Sequence, residues 1–510
     1  PRVYGKKRNS VSPLTPVIGA AFLFAFSLFG LMLGMVSLHG YDRILLALGI
    51  VTVAVGFLPF VVDSGRPFER RHVSLSLVAL IYGLAFGVPV FAHYIPANWP
   101  IDPPNFSGVN LTKFDLVYAQ MMGLGGLLLL YAGYSLPVRQ VVAHLVAPPR
   151  FEWTERGAQI AAVFFTFFGG AVNGAGRLGL IPERLGSGVL GGIADLSVAA
   201  PALMMATYLR YRSPLSMALL ILVVPLTSGF NLFTGSKRAL LLPWAAVVLM
   251  YVIYHRRIRL AWIVGGVLLL AVIYPASNFY RNVVLDGFSR PMTDVLKNPG
   301  AALGNISEFI AEETSFTAYI GEGFASAAAR LDAVGVPAVI LRDTPSVVPF
   351  QNGRTLFQIV YTYVPRLFWP SKPSLGIGQW INDVYNNSAV MIQSNIGTSW
   401  IGEFYLNFGT PGVIVGMLFL GAIFRTWHEL LAGRQRTIPL MVAEVVVLKE
   451  VAFAVTGGVL AVVNRPVMVV LPLLGMHFVL RLVGAVARVE EATEKPASKE
   501  NRPDSHIASV

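Results

Sequence analysis

Cysteine is absent from all 510 residues, which excludes disulfides, thiolate metal sites and cysteine nucleophiles. Charge is scarce as well. Only 13% of residues are Asp, Glu, Lys or Arg, against about 25% in an ordinary soluble domain. Histidine is missing from the whole stretch 278–400, which also holds no HExxH, GxSxG, Walker-type or acidic DxD pattern. Zinc hydrolysis, serine hydrolysis and nucleotide-driven pumping are disfavoured on that ground. What fills the chain instead is apolar: 55% hydrophobic residues and a mean hydropathy of +0.63. Such a composition needs a lipid bilayer as its solvent, and it excludes soluble multidomain enzymes, coiled coils and disordered proteins.

Apolar windows of roughly 20 residues suit membrane-crossing helices. They fall at Leu14–Leu38, Ile44–Val62, Val73–His93, Phe114–Leu136, Ala158–Gly176, Val189–Leu209, Leu215–Leu232, Ala239–Tyr254 and Leu260–Ser277, and again at Ile401–Phe424, Ile438–Val462 and Pro466–Leu482. The expectation is an all-α polytopic membrane protein of about twelve transmembrane helices. Lys6, Lys7 and Arg8 precede the first window like a signal-peptide n-region, but the apolar stretch is too long and lacks a small-residue cleavage site, so it reads as a retained helix.

The 39 Lys+Arg against 27 Asp+Glu give a net charge of +12. Alternate connecting segments hold about 22 of the cations, against about seven in the short segments on the other side, which places both termini in the cytoplasm by the positive-inside rule. Topology accounts for most of the charge, and nucleic-acid binding loses its main support. The expected division is 1–277 for spans one to nine, 278–400 for a large extracytoplasmic loop, 401–487 for spans ten to twelve and 488–510 for a disordered cytoplasmic tail. Within the loop, 305–319 and 323–334 have amphipathic character, so short helices are expected over the outer mouth of the bundle.

Cations on the outer side run against the charge rule. Arg177, Arg184, Lys237, Arg238, Arg281, Arg354, Arg366 and Lys372 all fall on or near that mouth. Some serve as snorkelling anchors, yet a guanidinium cluster there also fits a pyrophosphate or an acidic sugar. The run Tyr361-Thr-Tyr-Val-Pro-Arg-Leu-Phe-Trp-Pro-Ser-Lys-Pro373 joins aromatics such as Trp369 to Arg366 and Lys372, a combination suited to the membrane interface or to sugar stacking. A third stretch, Ser399-Trp-Ile-Gly-Glu-Phe-Tyr-Leu-Asn-Phe-Gly-Thr-Pro-Gly412, places Glu403 where the chain enters the bilayer. That carboxylate is either a base for proton transfer or the partner of one of these arginines. Glu313 and Asp383 are further acids on the outer side, among Glu308, Glu312, Glu322 and Asp332. Asp195, Glu444, Lys449 and Glu450 lie inside spans and mark a proton or ion path, or an internal pair.

Taken in order, Thr-Gly-Ser-Lys237-Arg238 before a span, Tyr280-Arg281 after the next, the Val-Pro-Arg366 run and the Ile-Gly-Glu403 run resemble the bacterial Wzy-type O-antigen or oligosaccharide repeat-unit polymerases, over residues 225–425. The resemblance implies a glycosyltransferase of GT-C architecture in the bacterial inner membrane, with no metal or other cofactor and with the large loop periplasmic. Its implied substrate is an undecaprenyl-diphosphate-linked oligosaccharide, and its implied partners are a chain-length regulator and a flippase. The implied sites put Glu403, Arg281, Arg366, Glu313 and Asp383 in catalysis, and Lys237, Arg238, Arg177, Arg354, Lys372, Trp369 and Tyr280 in substrate binding. Related ligases use a loop histidine, which this chain lacks; a ligase and a lipid-oligosaccharide flippase or transporter remain the alternative readings.

Overall fold

The computed structural model describes residues 40–64, 71–92, 111–145, 151–177, 189–232, 237–256, 265–266, 300, 331–364, 369, 371–372, 377–385, 397–432 and 436–488. The window Leu14–Leu38, the window Leu260–Ser277 apart from residues 265–266, the segments 305–319 and 323–330, and the tail beyond 488 lie outside the described residues.

The described chain is mostly helical. In order it forms α1 (Tyr41–Ser64), α2 (Val73–Ala92), α3 (Lys113–Tyr134), α4 (Val138–Leu145), β1 (Phe151–Trp153), α5 (Glu155–Arg177), α6 (Val189–Tyr211), α7 (Pro214–Leu232) and α8 (Lys237–His255). These are followed by α9 (Gly335–Asp343), α10 (Arg354–Thr362), α11 (Ile377–Tyr385), α12 (Ser399–Leu431), α13 (Ile438–Gly457), α14 (Val459–Leu482) and β2 (Val486–Arg488). Five helices, α1, α2, α3, α12 and α14, contain stretches long and apolar enough to cross a membrane; α7 and α8 are shorter apolar helices. This is the build of a helical membrane protein: apolar side chains surround the helices, and each backbone satisfies itself within its own helix.

Local chemistry fixes several ends. Thr112 starts α3 with a reciprocal cap, its hydroxyl accepting from Asp115 N–H while the Asp115 carboxylate accepts from Thr112 N–H. The most extensive packing joins α1 to α2, α5 to α6, and α3 to α12. Small residues let these helices approach closely, as where Gly56 of α1 meets Gly83 of α2.

Two ends of the bundle differ in chemistry. At one, arginines bind carbonyls left over at helix C-termini: Arg436 donates to Ile253 O and Tyr254 O of α8, and Arg256 donates to Ala432 O after α12. A cation there is also favoured by the helix dipole. Arg71 donates to Arg256 O, and Arg210 lies 3.7 Å from Glu152. The segments that the charge rule groups together thus meet at one arginine-rich end. β1 and β2 pair antiparallel there, tying the chain before α5 to the chain after α14. This small ribbon departs from a purely α architecture. Glu152 within it accepts from Ile438 N–H at 2.9 Å, so the ribbon also satisfies the free start of α13.

The short helices α9, α10 and α11 occupy part of the stretch expected to be the large loop. α9 packs on α3 and α12, and α10 packs on α14 and α12.

Candidate functional site

At the opposite end, α12 breaks within its own length. Gly409 takes φ 64 and ψ −154, and Pro411 follows it. A helix would bond Leu406 O to the N–H of residue 410 and Asn407 O to that of residue 411. The break removes the first partner, and proline has no N–H to supply the second. Both carbonyls are recovered by the loop before α10: Gln351 N–H donates to Leu406 O at 2.9 Å and Asn352 N–H to Asn407 O at 3.1 Å. The Asn407 side chain completes the strap, its Oδ1 accepting from Gly353 N–H and its Nδ2 donating to Thr355 Oγ1 at 2.7 Å.

Glu403 sits four residues before Asn407, on the same helix face, and is buried to 1% exposure. Its Oε1 accepts from the Thr355 hydroxyl at 3.2 Å, and its Oε2 accepts from Val459 N–H at 2.6 Å. Val459 opens α14, so the carboxylate occupies an anion position at a helix N-terminus. Gly458 makes this approach possible. Its φ is 149, and a Cβ there would stand 2.7 Å from Glu403 Oε2. Three elements, α10, α12 and the α13–α14 junction, therefore converge on one carboxylate. Of the two sequence readings for Glu403, an arginine partner is not what the described residues supply; a hydroxyl and a backbone amide take its two oxygens.

The other candidates are placed as follows. Arg354 is exposed in the first turn of α10. Lys372 is buried and donates to Thr362 O and Val364 O, closing the end of α10, so much of its donor capacity is spent on the backbone. Trp369 is partly exposed; its indole N–H donates to Ser371 Oγ and its ring meets Tyr361 edge-on at 5.9 Å. The Tyr361–Pro373 run is thereby connected through α10 to the Glu403 clasp. Asp383 is exposed on α11 and accepts from the Gln379 side chain at 3.0 Å. Lys237, Arg238, Arg177 and Asp195 are described by helical backbone alone, while Arg281, Arg366, Glu313 and Tyr280 lie outside the described residues. Among the described residues no group of three or more His, Asp or Glu side chains could hold a metal ion.

Sequence reasoning missed Thr355 altogether, and a lone threonine 48 residues before Glu403 offers no signal for it. Asn407 was legible only as part of the same motif. It also missed a second polar cluster, at the arginine-rich end. There His72 Nδ1 lies 3.1 Å from Tyr134 OH, the His72 and His428 rings are 4.6 Å apart, and Ser74 donates to Glu444 Oε1 at 2.6 Å. Its members come from α2, α3, α12 and α13 and from the residue just before α2. Of the other intramembrane charges, Lys449 and Glu450 pair at 2.7 Å, both buried.

No curated protein matches the chain, and no solved structure matches it. Residues 187–430, a little under half of the chain, match a family described as a domain of unknown function, DUF8712, whose span takes in α10, α11, α12 and Glu403.

Proposed function

We propose that this chain is a polymerase of lipid-linked glycans: a GT-C-type glycosyltransferase of about twelve spans in the bacterial inner membrane, with cytoplasmic termini and the 278–400 segment facing outward. The observation that carries this reading is the convergence at the Glu403 clasp. The two longest motifs of the polymerase resemblance, 361–373 and 399–412, are tied to each other through α10, at the end of the bundle away from the arginine-rich one.

In the proposed reaction an acceptor hydroxyl on one undecaprenyl-diphosphate-linked repeat unit attacks the anomeric carbon of a growing glycan. The bond from that carbon to its lipid diphosphate breaks, and the hydroxyl proton passes to a base. Charge growing on the departing diphosphate needs fixed cations, the role of Arg238, Arg281 and Arg366 with Lys237 and Arg354 in support. Glu403 has both oxygens engaged and little exposure, so its part is to position α10 against α12 and α14. Asp383 and Glu313 are the acids left to take the proton. Trp369 and Tyr361 offer faces on which a sugar can stack.

The test uses full-length protein in nanodiscs, supplied with lipid-diphosphate-linked repeat units and no nucleotide sugar. A ladder of products is expected. It should be lost in the Arg281→Ala/Arg366→Ala double variant, since removing one comparable transition-state donor costs roughly 2.7–4 kcal/mol. A ladder undiminished in that variant overturns the cation assignment. A single transfer to lipid A would mean a ligase instead, and unaltered substrate that crosses the bilayer of liposomes would mean a flippase.

A further inference from the structure

A cavity of about 150 Å³ lies between α2, α6, α8 and α13, away from the Glu403 clasp. Leu77 and Ile81 of α2, Leu242 and Leu249 of α8, and Val445 and Phe453 of α13 form its walls, joined by Val198 of α6. Packing explains the room: α2 and α8 each lie along α13 but touch one another in few places. Small side chains at Ala245, Ala246 and Ala452 leave the gap unfilled.

The cavity stands at the depth of lipid tails. Arg71 donates to Arg256 O, so the start of α2 and the end of α8 share one level at the arginine-rich end. From that level Leu77 and Ile81 are about 6–12 Å along α2, and Leu249 and Leu242 about 9–20 Å along α8, at 1.5 Å per residue. Those heights fall inside a hydrocarbon core ~30 Å thick. The cavity is also open at the side. Ala245 and Phe453 line it and are themselves exposed, and the exposed Trp244 and Val248 beside Ala245 continue the same apolar surface outward.

We propose that this cavity binds the end of a phospholipid acyl chain, which enters between α8 and α13 and stays there as a resident lipid. Its surface is almost wholly apolar. Lys449 lines it through the methylene stem, since its ammonium stands 2.7 Å from the Glu450 carboxylate. A buried water needs about two to four polar partners, which such walls do not offer, whereas an apolar cavity of this size stays dry and accepts a guest of roughly six carbons. An acyl tail ends near the middle of the bilayer, at the level of the cavity. With Lys449 already neutralised by Glu450, nothing in the walls selects the headgroup of a diphosphate lipid over the bulk phospholipid around the protein. The tail supplies the contacts that α2 and α8 lack with each other, and an empty cavity would forfeit them. It also keeps water from the Lys449–Glu450 pair, whose attraction is stronger in a dry surrounding.

Photo-crosslinking tests this on full-length protein stripped of lipid in detergent and returned to nanodiscs of phosphatidylcholine carrying a diazirine at the tail end. Peptide mass spectrometry should find adducts within 242–249 and 445–453 that persist when unlabelled vesicles are added. Adducts at Val415 and Phe419, on the exposed face of α12, should be chased away. Ala245→Phe and Ala452→Phe fill the cavity, and each should lower the persistent adducts several-fold without changing those on α12. Melting curves check that both variants keep their fold; should one fail, the other decides. The proposal is overturned if the cavity adducts are absent, if they chase as fast as those on α12, or if the substituted cavity still acquires them. Selective displacement by added polyprenyl diphosphate would assign the cavity to a substrate chain and overturn it as well. Crosslinking is read without glycan transfer, so a failed polymerase assay leaves the lipid site standing, and missing adducts leave the polymerase reading standing.

Discussion

The Glu403 carboxylate accepts the Val459 backbone N–H at 2.6 Å, so the one acidic side chain of the 399–412 segment caps a helix 56 residues further along the chain. The same carboxylate holds Thr355, and through it α10. A hydroxyl and an amide N–H are weaker partners than a guanidinium. In a site this dry, however, each is costly to leave unpaired, and the clasp is correspondingly demanding about the residue at its centre.

Glu403→Ala should therefore destabilise the protein by about 2–4 kcal/mol, combining lost hydrogen bonds with an uncapped helix start. Glu403→Gln retains one acceptor oxygen and should cost roughly 1 kcal/mol. Thermal or denaturant unfolding in nanodiscs measures both. Equal effects of the two substitutions would show that volume, and not the acceptor pair, sets the stability of the junction.

Gly458→Ala should be destabilising for two reasons: its φ of 149 strains a side-chain-bearing residue, and the new Cβ would press on Glu403 Oε2. The second reason disappears when the carboxylate is removed. In a double-mutant cycle, Gly458→Ala with Glu403→Ala should then cost less than the two single effects added, by an amount on the order of 0.5–3 kcal/mol. Strict additivity would mean that the strain is in the backbone alone.

Glu152, in the ribbon at the arginine-rich end, gives a pH signature. Burial pushes its carboxyl up from 4.5 to about 7, against the pull of the Ile438 N–H, of Arg210 and of the Trp153 N–H in the other direction. Folding thus raises the pKa, and between 4.5 and about 7 the folded protein holds a proton that the unfolded chain releases. The contribution is fully present below pH 4.5 and is lost as pH rises through about 7. It amounts to at most about 3.5 kcal/mol, at ~1.4 kcal/mol for each pKa unit. Melting temperature followed against pH should fall more steeply in the wild type than in Glu152→Gln across that window. Parallel curves would show that Glu152 is ionised throughout.

Ten helices of the described chain lie on ten of the windows read from apolar runs, often within a few residues of the expected limits. The reason is that a helix in lipid satisfies its own backbone and needs only a long apolar stretch, which is a local property. The break between the last two helices was less legible. The window Ile438–Val462 runs through Gly457 and Gly458 on composition, but the structure ends α13 at Gly457. The turn at Gly458, whose φ is 149, ends the helix there and the Glu403 carboxylate accepts the first N–H of the next one; the Gly457–Gly458 pair is the local sign of the break, and the capping carboxylate is not.

Sequence alone thus determined that this is a chain of apolar helices without thiol chemistry, that its cations divide into two sets, and that Glu403 stands in an unusual setting. Composition, period and charge position are carried by each segment separately. Tertiary structure decided the partners: Thr355 and a backbone amide for Glu403, backbone carbonyls for Lys372, and the meeting of His72 with His428 across 356 positions. Backbone donors and acceptors are identical at almost every residue, and which of them a helix break leaves free depends on how the helices pack. A side chain's choice among them is settled only when the whole bundle has formed.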